Sequence, residues 1–249
     1  MIKIKCILLC AGYATRLYPL TIDTPKSLLD IAGKPVIEHI LEKIYEIPVN
    51  EIFVVTNSRF YDKFNEWLSN YNEKIPIKVI NDKTNNNEER LGALGDIHFV
   101  IQNQKINDDI LIIAGDNIFE DSLAGMNSFF KDKKMSIIGL HDVKNLEVAK
   151  RMGVVSLDKN NKLIEFAEKP KNPKSTIVSA LIYFIKKDDV HFIKECLRAK
   201  SSEKEVKAGE FIEYIINKTS VYGYVLKKNW FDIGDYEQLK KADKVWKGK

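Results

Sequence analysis

The chain has 249 residues, enough for one large α/β domain or two small ones, and its 45% apolar, 30% charged composition is globular, not disordered or fibrous. A formal charge of +4, spread along the chain, argues against a nucleic-acid groove and suits a small anionic ligand. Cys6, Cys10 and Cys196 form no C-x-x-C pair, no run approaches the ~18 apolar residues of a membrane span, and Lys3 and Lys5 interrupt any secretory core, so a cytoplasmic, reducing setting without membrane partners is expected.

Residues 2–10 read as an apolar first strand ending in a turn. From Pro35 a helix follows, because Ile37, Ile40, Leu41, Ile44 and Ile47 recur on one helical face. Residues 51–56 form a short continuous apolar run, as expected of a strand covered on both faces. Next come a helix around 60–68, a strand over 75–80, a polar run at 84–90, a helix over 91–102 and a strand over 109–114. Such alternation predicts right-handed crossovers and a doubly wound, mostly parallel α/β sheet, with ligands beyond the carboxyl ends of its strands. No element is assigned to residues 117–130, and after them the texture changes. Strands over 135–143, 153–158, 162–168, 176–185 and 221–226 predict an antiparallel extension of a mixed sheet, with helices near 187–199, 209–217 and 235–246. No clean linker divides the chain. Lys240, Lys241, Lys244, Lys247 and Lys249 read as the solvated face of the last helix, anchored by Tyr236, Leu239 and Trp246.

The first turn carries the most specific chemistry. In Leu8-Leu9-Cys10-Ala11-Gly12-Tyr13-Ala14-Thr15-Arg16-Leu17 an apolar strand gives way to a glycine, a hydroxyl and an arginine, and Thr24-Pro25-Lys26 adds an amine ten residues after Arg16. Gly12 lets the backbone approach a bound group, and the planar fork of Arg16 matches phosphate oxygens. Pro25 biases Thr24 toward extended geometry and stiffens the loop that displays Lys26. Together these make a cationic cradle for an anion. The Walker pattern is absent, since Leu17 stands where its second glycine belongs, and Ala14 breaks the dinucleotide pattern G-x-G-x-x-G, which disfavours a dinucleotide-dependent reductase.

Gly12-Tyr13-Ala14-Thr15-Arg16-Leu17 with Pro25-Lys26 resembles the G-x-G-T-R-[LM] and P-K signature of nucleotidyltransferases that join a sugar 1-phosphate to a nucleoside triphosphate, with Ala14 replacing the second glycine. The likeness covers nearly the whole chain. Gly115-Asp116-Asn117 resembles the family's metal position, and Trp230-Phe231-Asp232-Ile233-Gly234 its W-x-D-[TI]-G segment. Glu168-Lys169-Pro170 is similar to its E-K-P triplet, and Gly153-Val154-Val155 to Y-G-V-V with Met152 in place of tyrosine.

The resemblance implies a Rossmann-like nucleotidyltransferase fold and one domain over residues 1–249. Residues 1–130 would be the nucleotide-binding half and 131–249 the sugar-phosphate-binding half. Ala11, Gly12, Thr15, Arg16, Lys26, Gly92 and Asp116 would bind the nucleotide. Gly153, Glu168, Lys169 and Lys207 would bind the sugar phosphate, near the Gly209-Glu210-Phe211 segment. Asp116 and Asp232 would hold Mg2+, and together with Arg16 and Lys26 carry catalysis. Magnesium takes hard oxygen ligands and often only one or two carboxylates beside substrate phosphates. Read without the family, Asp116 is equally good turn chemistry, Lys207 equally a surface lysine, and Asp235 fits an N-cap.

An in-line attack of the acceptor phosphate on the α-phosphorus, releasing pyrophosphate, would need charge neutralisation and alignment but no general base. His39, His98, His141 and His191 are accordingly assigned no catalytic role. Two departures matter. The run 84–90 lacks the glutamine and proline-rich turn of thymidylyl enzymes, leaving the base open, and Leu181 stands where relatives have a glycine lining the sugar pocket. Leu181 and the Gly209-Glu210-Phe211 segment leave room for a CTP-dependent cytidylyltransferase acting on phosphocholine or another small phosphate. A catalytically silent sugar-nucleotide sensor is a further reading, which the presence of both metal carboxylates opposes. The length predicts a stand-alone transferase without a β-helix extension, with homo-oligomerisation open.

Overall fold

The structure, a computed structural model, describes residues 4–248; Ile2, Lys3 and Lys249, used in the reading above, lie outside them. β1 (Ile4–Leu9) enters a loop holding two one-turn 3-10 helices, Thr15–Leu17 and Lys26–Leu28, and a small hairpin of β2 (Asp30–Ile31) and β3 (Lys34–Pro35). There follow α1 (Val36–Ile44), β4 (Val49–Thr56), α2 (Tyr61–Asn70), β5 (Ile77–Asn81), α3 (Gly92–Asn103) and β6 (Asp109–Ala114). Then come β7 (Asn117–Phe119), α4 (Leu123–Lys133), β8 (Ile137–Asp142), α5 (Leu146–Ala149), β9 (Gly153–Leu157), β10 (Leu163–Glu168) and β11 (Ile177–Ile185). α6 (His191–Ala199), α7 (Ala208–Ile215), β12 (Tyr222–Val225), β13 (Trp230–Asp232) and α8 (Tyr236–Lys247) complete the described chain.

Among the described residues, nine strands form one sheet in the order β10-β9-β11-β6-β1-β4-β5, with β8 and β12 attached beside β11. β1 pairs in parallel with β4 and β6, and β4 with β5. The doubly wound, mostly parallel core expected from the alternation is therefore present. β11 runs antiparallel to β6, β8 and β9, and β9 to β10. β12 departs from the expected antiparallel extension, since it joins β8 in parallel.

Period-two alternation explains why the central strands are apolar throughout. On β1, Cys6 and Leu8 pack into one buried cluster with Ile37, Ile40 and Leu41 of α1, whereas Ile7 packs into the other with Leu94 and Ile97 of α3 and Ile212 of α7. β6 divides likewise, Leu111 and Ile113 against Ile110 and Ile112. Helices thus cover both faces. Burying each such side chain contributes about 1.5–3 kcal/mol. Ile47 lies beyond the end of α1 yet stays buried, so the helical spacing persists one turn past the helix itself.

Among the elements that the sequence reading did not assign are α4 and a two-stranded ribbon. α4 buries Leu123, Met126 and Phe130, and Ser122 caps it by accepting from the Ala124 N–H at 3.1 Å. β7 and β13 form a separate two-stranded ribbon, pairing Trp230 with Phe119, Phe231 with Ile118 and Asp232 with Asn117. The Leu181 departure has a backbone consequence. Leu181 has φ 49, and the β11–β8 register shifts between Ser179 and Tyr183, so the strand bulges there. Val178 pairs with β9 on one side of the bulge, whereas residues 182–185 pair with β6 on the other. A glycine would adopt this backbone without strain; the leucine side chain packs partly buried on the α3 side of the sheet.

Where β1 and β6 end together, only glycine fits. The Gly115 N–H donates to Leu9 O at 2.9 Å, and a Cβ on Gly115 would lie 2.3 Å from Cys10 Sγ and 2.9 Å from Leu9 O. Gly115→Ala is expected to lower stability by about 1–3 kcal/mol through overpacking, read as a shifted denaturation midpoint with unchanged m-value.

Candidate active site

The carboxyl ends of β1 and β6 open onto a cavity of about 90 Å³ lined by Gly12, Ala14, Lys26, Ser27 and Asp116 among others. Each is there for a local reason. Gly12 has open space where a Cβ would stand, so backbone faces the cavity unshielded. Ala14 takes the left-handed conformation, φ 48, that turns the chain into the Thr15–Leu17 helix, and Thr21 Oγ1 holds it by donating to Ala14 O at 2.8 Å. Ala11 is buried and accepts from Asn57 Nδ2 at 2.9 Å. Thr15 and Arg16 stand exposed at the rim. Pro25, extended with ψ 144, launches a helical turn, Lys26–Leu28, in the loop that the sequence reading expected it to stiffen.

Four residues from distant segments converge. Lys26 Nζ forms an ion pair with Asp116 Oδ2, both side chains being partly buried. Asp116 and Asp232 flank the same end of the β7–β13 ribbon, and the Ile233 N–H donates to Asp116 O at 3.0 Å. Arg16 reaches the same corner, since a Cβ at Gly234 would lie 3.6 Å from Arg16 Nη2 and 3.7 Å from Asp232 Oδ1. Burial, with the neighbouring charge of Asp116, pushes the Asp232 carboxyl up to about 6 against the pull of Lys26 and Arg16. Asp235 is the N-cap of α8, its Oδ1 accepting from the Gln238 N–H at 2.9 Å, as its position after the glycine suggested.

A second group gathers on β9, β10 and α7. Glu168 Oε2 lies against Gly153 and Gly209, where a Cβ would approach it to 3.3 and 2.2 Å. Glu168 Oε1 is 3.9 Å from Lys207 Nζ, and burial raises its carboxyl above the usual range while Lys169 and Lys207 oppose the shift. Lys169, with φ 50, turns away from β10 and its N–H donates to Met152 O at 3.0 Å. Gly92 is not among the lining of the first cavity. Its φ of +75 and a would-be Cβ 2.9 Å from Glu205 Cβ give it a packing reason to be glycine, where α3 begins against the chain leading to Lys207. None of the four histidines lines the cavity. Cys10 does, but burial pushes its thiol up to about 12, which removes it as a nucleophile.

Ser27 does structural work that motif reading passed over, whereas Gly115 and Gly209, quoted there as neighbours of Asp116 and Glu210, prove to be positions where no Cβ fits. A larger groove, about 630 Å³, opens at the opposite end of the ribbon by Glu120, His141 and Asn229 and holds none of the expected residues. Among the described residues no group of three or more His, Cys, Asp or Glu gathers as a metal cage. Asp116 and Asp232 nonetheless fit a hard divalent cation, which would relieve their mutual repulsion and take its remaining oxygens from phosphates and water. No described helix is long and apolar enough to cross a membrane.

The sequence matches the family model described as nucleotidyl transferase over residues 5–247. A relative from Methanocaldococcus jannaschii named bifunctional protein GlmU is 32% identical over 96% of this chain and 53% of its own. Another, from Sulfolobus acidocaldarius and named for mannose-1-phosphate guanyltransferase, is 29% identical over 95% of this chain and 62% of its own. The chain thus spans about half the length of the first curated relatives it matches. A crystal structure of UDP-glucose pyrophosphorylase complexed with UDP-glucose shares the fold, with TM-score 0.83 at 22% identity over 99% of this chain and 98% of that one.

Asp232→Asn is expected to stabilise the metal-free protein. Well below pH 3.8 this carboxyl is neutral in both states. Between 3.8 and about 6 the unfolded chain loses its proton first, so native stability falls as pH rises, by about 1–3 kcal/mol in all. Thermal denaturation from pH 4 to pH 8 should show the variant gaining on the parent across that window and then holding a constant lead. Asp235→Ala, by contrast, should cost about 1 kcal/mol as a lost N-cap.

Proposed function

The chain belongs to the nucleotidyl transferase family, and from that premise we propose that it transfers the nucleoside monophosphate of a nucleoside triphosphate to a sugar 1-phosphate, with release of pyrophosphate. The observation that carries this reading is the convergence of Arg16, Lys26, Asp116 and Asp232 at the carboxyl ends of β1 and β6. A polyphosphate is the ligand whose chemistry calls for fixed cations and metal-holding carboxylates in one corner.

The difficulty in the reaction is electrostatic. Two unit negative charges at ~4 Å repel by about 4 kcal/mol at an effective dielectric of 20, and the triphosphate and the acceptor phosphate bring several. Arg16 and Lys26 hold the triphosphate and then the leaving pyrophosphate. The backbone of residues 11–15 lies beside it, with Gly12 the closest approach. Asp116 and Asp232 would hold Mg2+, which when bound would supply charge neutralisation to the phosphates. Lys26 bridges the two tasks, because the residue it pairs with is Asp116.

Glu168 accepts hydrogen bonds from sugar hydroxyls, and Lys169 and Lys207 receive the acceptor's phosphate, with Gly153 offering backbone contact. Gly92, at the start of α3, lies toward the nucleobase. The attacking oxygen belongs to a phosphate already ionised at neutral pH, so no side chain need remove a proton. In this reading residues 1–130 bind the nucleotide, 131–249 bind the sugar phosphate, and the two sets meet where α3 begins against residues 205–206.

The direct test is pyrophosphate release from each common triphosphate with glucose, mannose and N-acetylglucosamine 1-phosphates and with phosphocholine, with and without Mg2+. One sugar 1-phosphate should support Mg2+-dependent turnover. Lys26→Ala should lower kcat by on the order of 10²–10³, the cost of losing one preorganised cation at a developing charge. Turnover with phosphocholine alone, or with no acceptor at all, would overturn the assignment.

A further inference from the structure

The polar run 84–90 carries none of the groups assigned above to binding or catalysis, yet its first residue faces back into the protein. Thr84 is 4% exposed, and Tyr13, between Gly12 and the left-handed Ala14, is 5% exposed. Their hydroxyl oxygens lie 3.3 Å apart. Thr84 is itself held on both sides. Its backbone N–H and its hydroxyl donate to Asp82 Oδ1 at 2.7 and 2.8 Å, and its carbonyl accepts from the Ser58 N–H at 2.9 Å. The Asp82 N–H in turn donates to Thr56 O at 2.8 Å.

The direction of the Tyr13 bond then follows. A threonine hydroxyl has one proton, and Asp82 takes that of Thr84. Tyr13 therefore donates and Thr84 accepts, which joins the tyrosine to the carboxyl ends of β4 and β5. The loop around Tyr13 is otherwise tied through carbonyls: Asn57 Nδ2 donates to Ala11 O at 2.9 Å and Thr21 Oγ1 to Ala14 O at 2.8 Å. Among the described residues, no protein group accepts from the N–H of Gly12, Tyr13 or Ala14. A loop whose amides stay free for an anion has to be fixed by other means. Between Ala11 and Ala14 the polar anchor is the Tyr13 hydroxyl.

We propose that Thr84 is a positioning residue for the phosphate loop: aimed by Asp82, its hydroxyl oxygen accepts from Tyr13 and holds the backbone of residues 12–14 in the geometry that receives a triphosphate. That the ligand is a triphosphate rests on the function proposed above; that Thr84 holds the loop does not. Thr84 acts through Tyr13 rather than on the substrate.

The test is a double-mutant cycle of Tyr13→Phe and Thr84→Val, read by amide exchange in the ligand-free protein and by KM and kcat for the triphosphate. Leu17, buried and with its N–H donating to Ala14 O at 3.0 Å, reports the loop. Thr84→Val leaves the buried tyrosine hydroxyl unpaired, so Leu17 should exchange about 3–10-fold faster. KM should rise by about the same factor, because fewer molecules hold the receptive loop, with kcat within about twofold of the parent. Tyr13→Phe should act in the same direction and more weakly. The double variant should be no worse than Thr84→Val, since losing the tyrosine oxygen also removes the unpaired group. Thr84→Ser keeps the hydroxyl and should stay within about twofold of the parent in both readouts. Should Thr84→Val fail to fold, Thr84→Ala removes the same group. Unchanged Leu17 exchange or unchanged KM in Thr84→Val, multiplied effects in the double variant, or Thr84→Ser behaving as Thr84→Val does would each overturn the proposal. A parent protein that forms no pyrophosphate from any triphosphate overturns the assigned function instead, and the exchange cycle alone then decides whether Thr84 positions the loop.

Discussion

Asp116 and Asp232 repel one another, and the β7–β13 ribbon holds them together all the same. Ile118, Phe119 and Ile233 are buried beneath the ribbon, so apolar packing fixes the spacing of two groups that would separate in water. Arg16 and Lys26 offset part of that repulsion, and a divalent cation would offset the rest. An arrangement that is unfavourable alone and favourable with its ligands is what a polyphosphate site requires. Under the proposed function, the electrostatic strain located there belongs to the site rather than being a defect in the fold.

The cations owe their places to the strand ends. β6 approaches β1 so closely at Gly115 that no side chain fits, which brings Asp116 beside the Lys26–Leu28 turn. Pro25 presets that turn, and the buried Ser27 hydroxyl anchors it with a contact to Cys10 Sγ. Arg16 arrives by a different route, through a left-handed alanine where a second glycine would have cost no strain. A strand end thus holds Asp116 and an anchored turn holds Lys26, whereas Arg16 depends on the loop that follows β1.

The phosphate side was legible because its residues are consecutive. Gly12 through Leu17 and Pro25-Lys26 carry their chemistry in short stretches, and the apolar runs of β1, β4 and β6 identified the strands that deliver them. The β7–β13 ribbon was not legible, since strands of three residues show no period and their pairing joins distant segments. α4 showed Leu123, Met126 and Phe130 at helical spacing, but Gly125, Asn127 and Ser128 gave the stretch the look of a loop. Leu181 was recognised as out of place without its cause; the bulge depends on β11 changing partners from β9 to β6, which is a property of the sheet.

Calorimetric titration of the parent and of an Asp116→Asn/Asp232→Asn variant with the preferred triphosphate, in the presence and absence of Mg2+, tests the central claim most directly. The account predicts that Mg2+ tightens binding to the parent and not to the variant, and that without Mg2+ the variant binds at least as tightly, being relieved of two negative charges. Equal tightening of both proteins by Mg2+ would mean that these carboxylates do not hold the ion, and the account would be wrong at its centre.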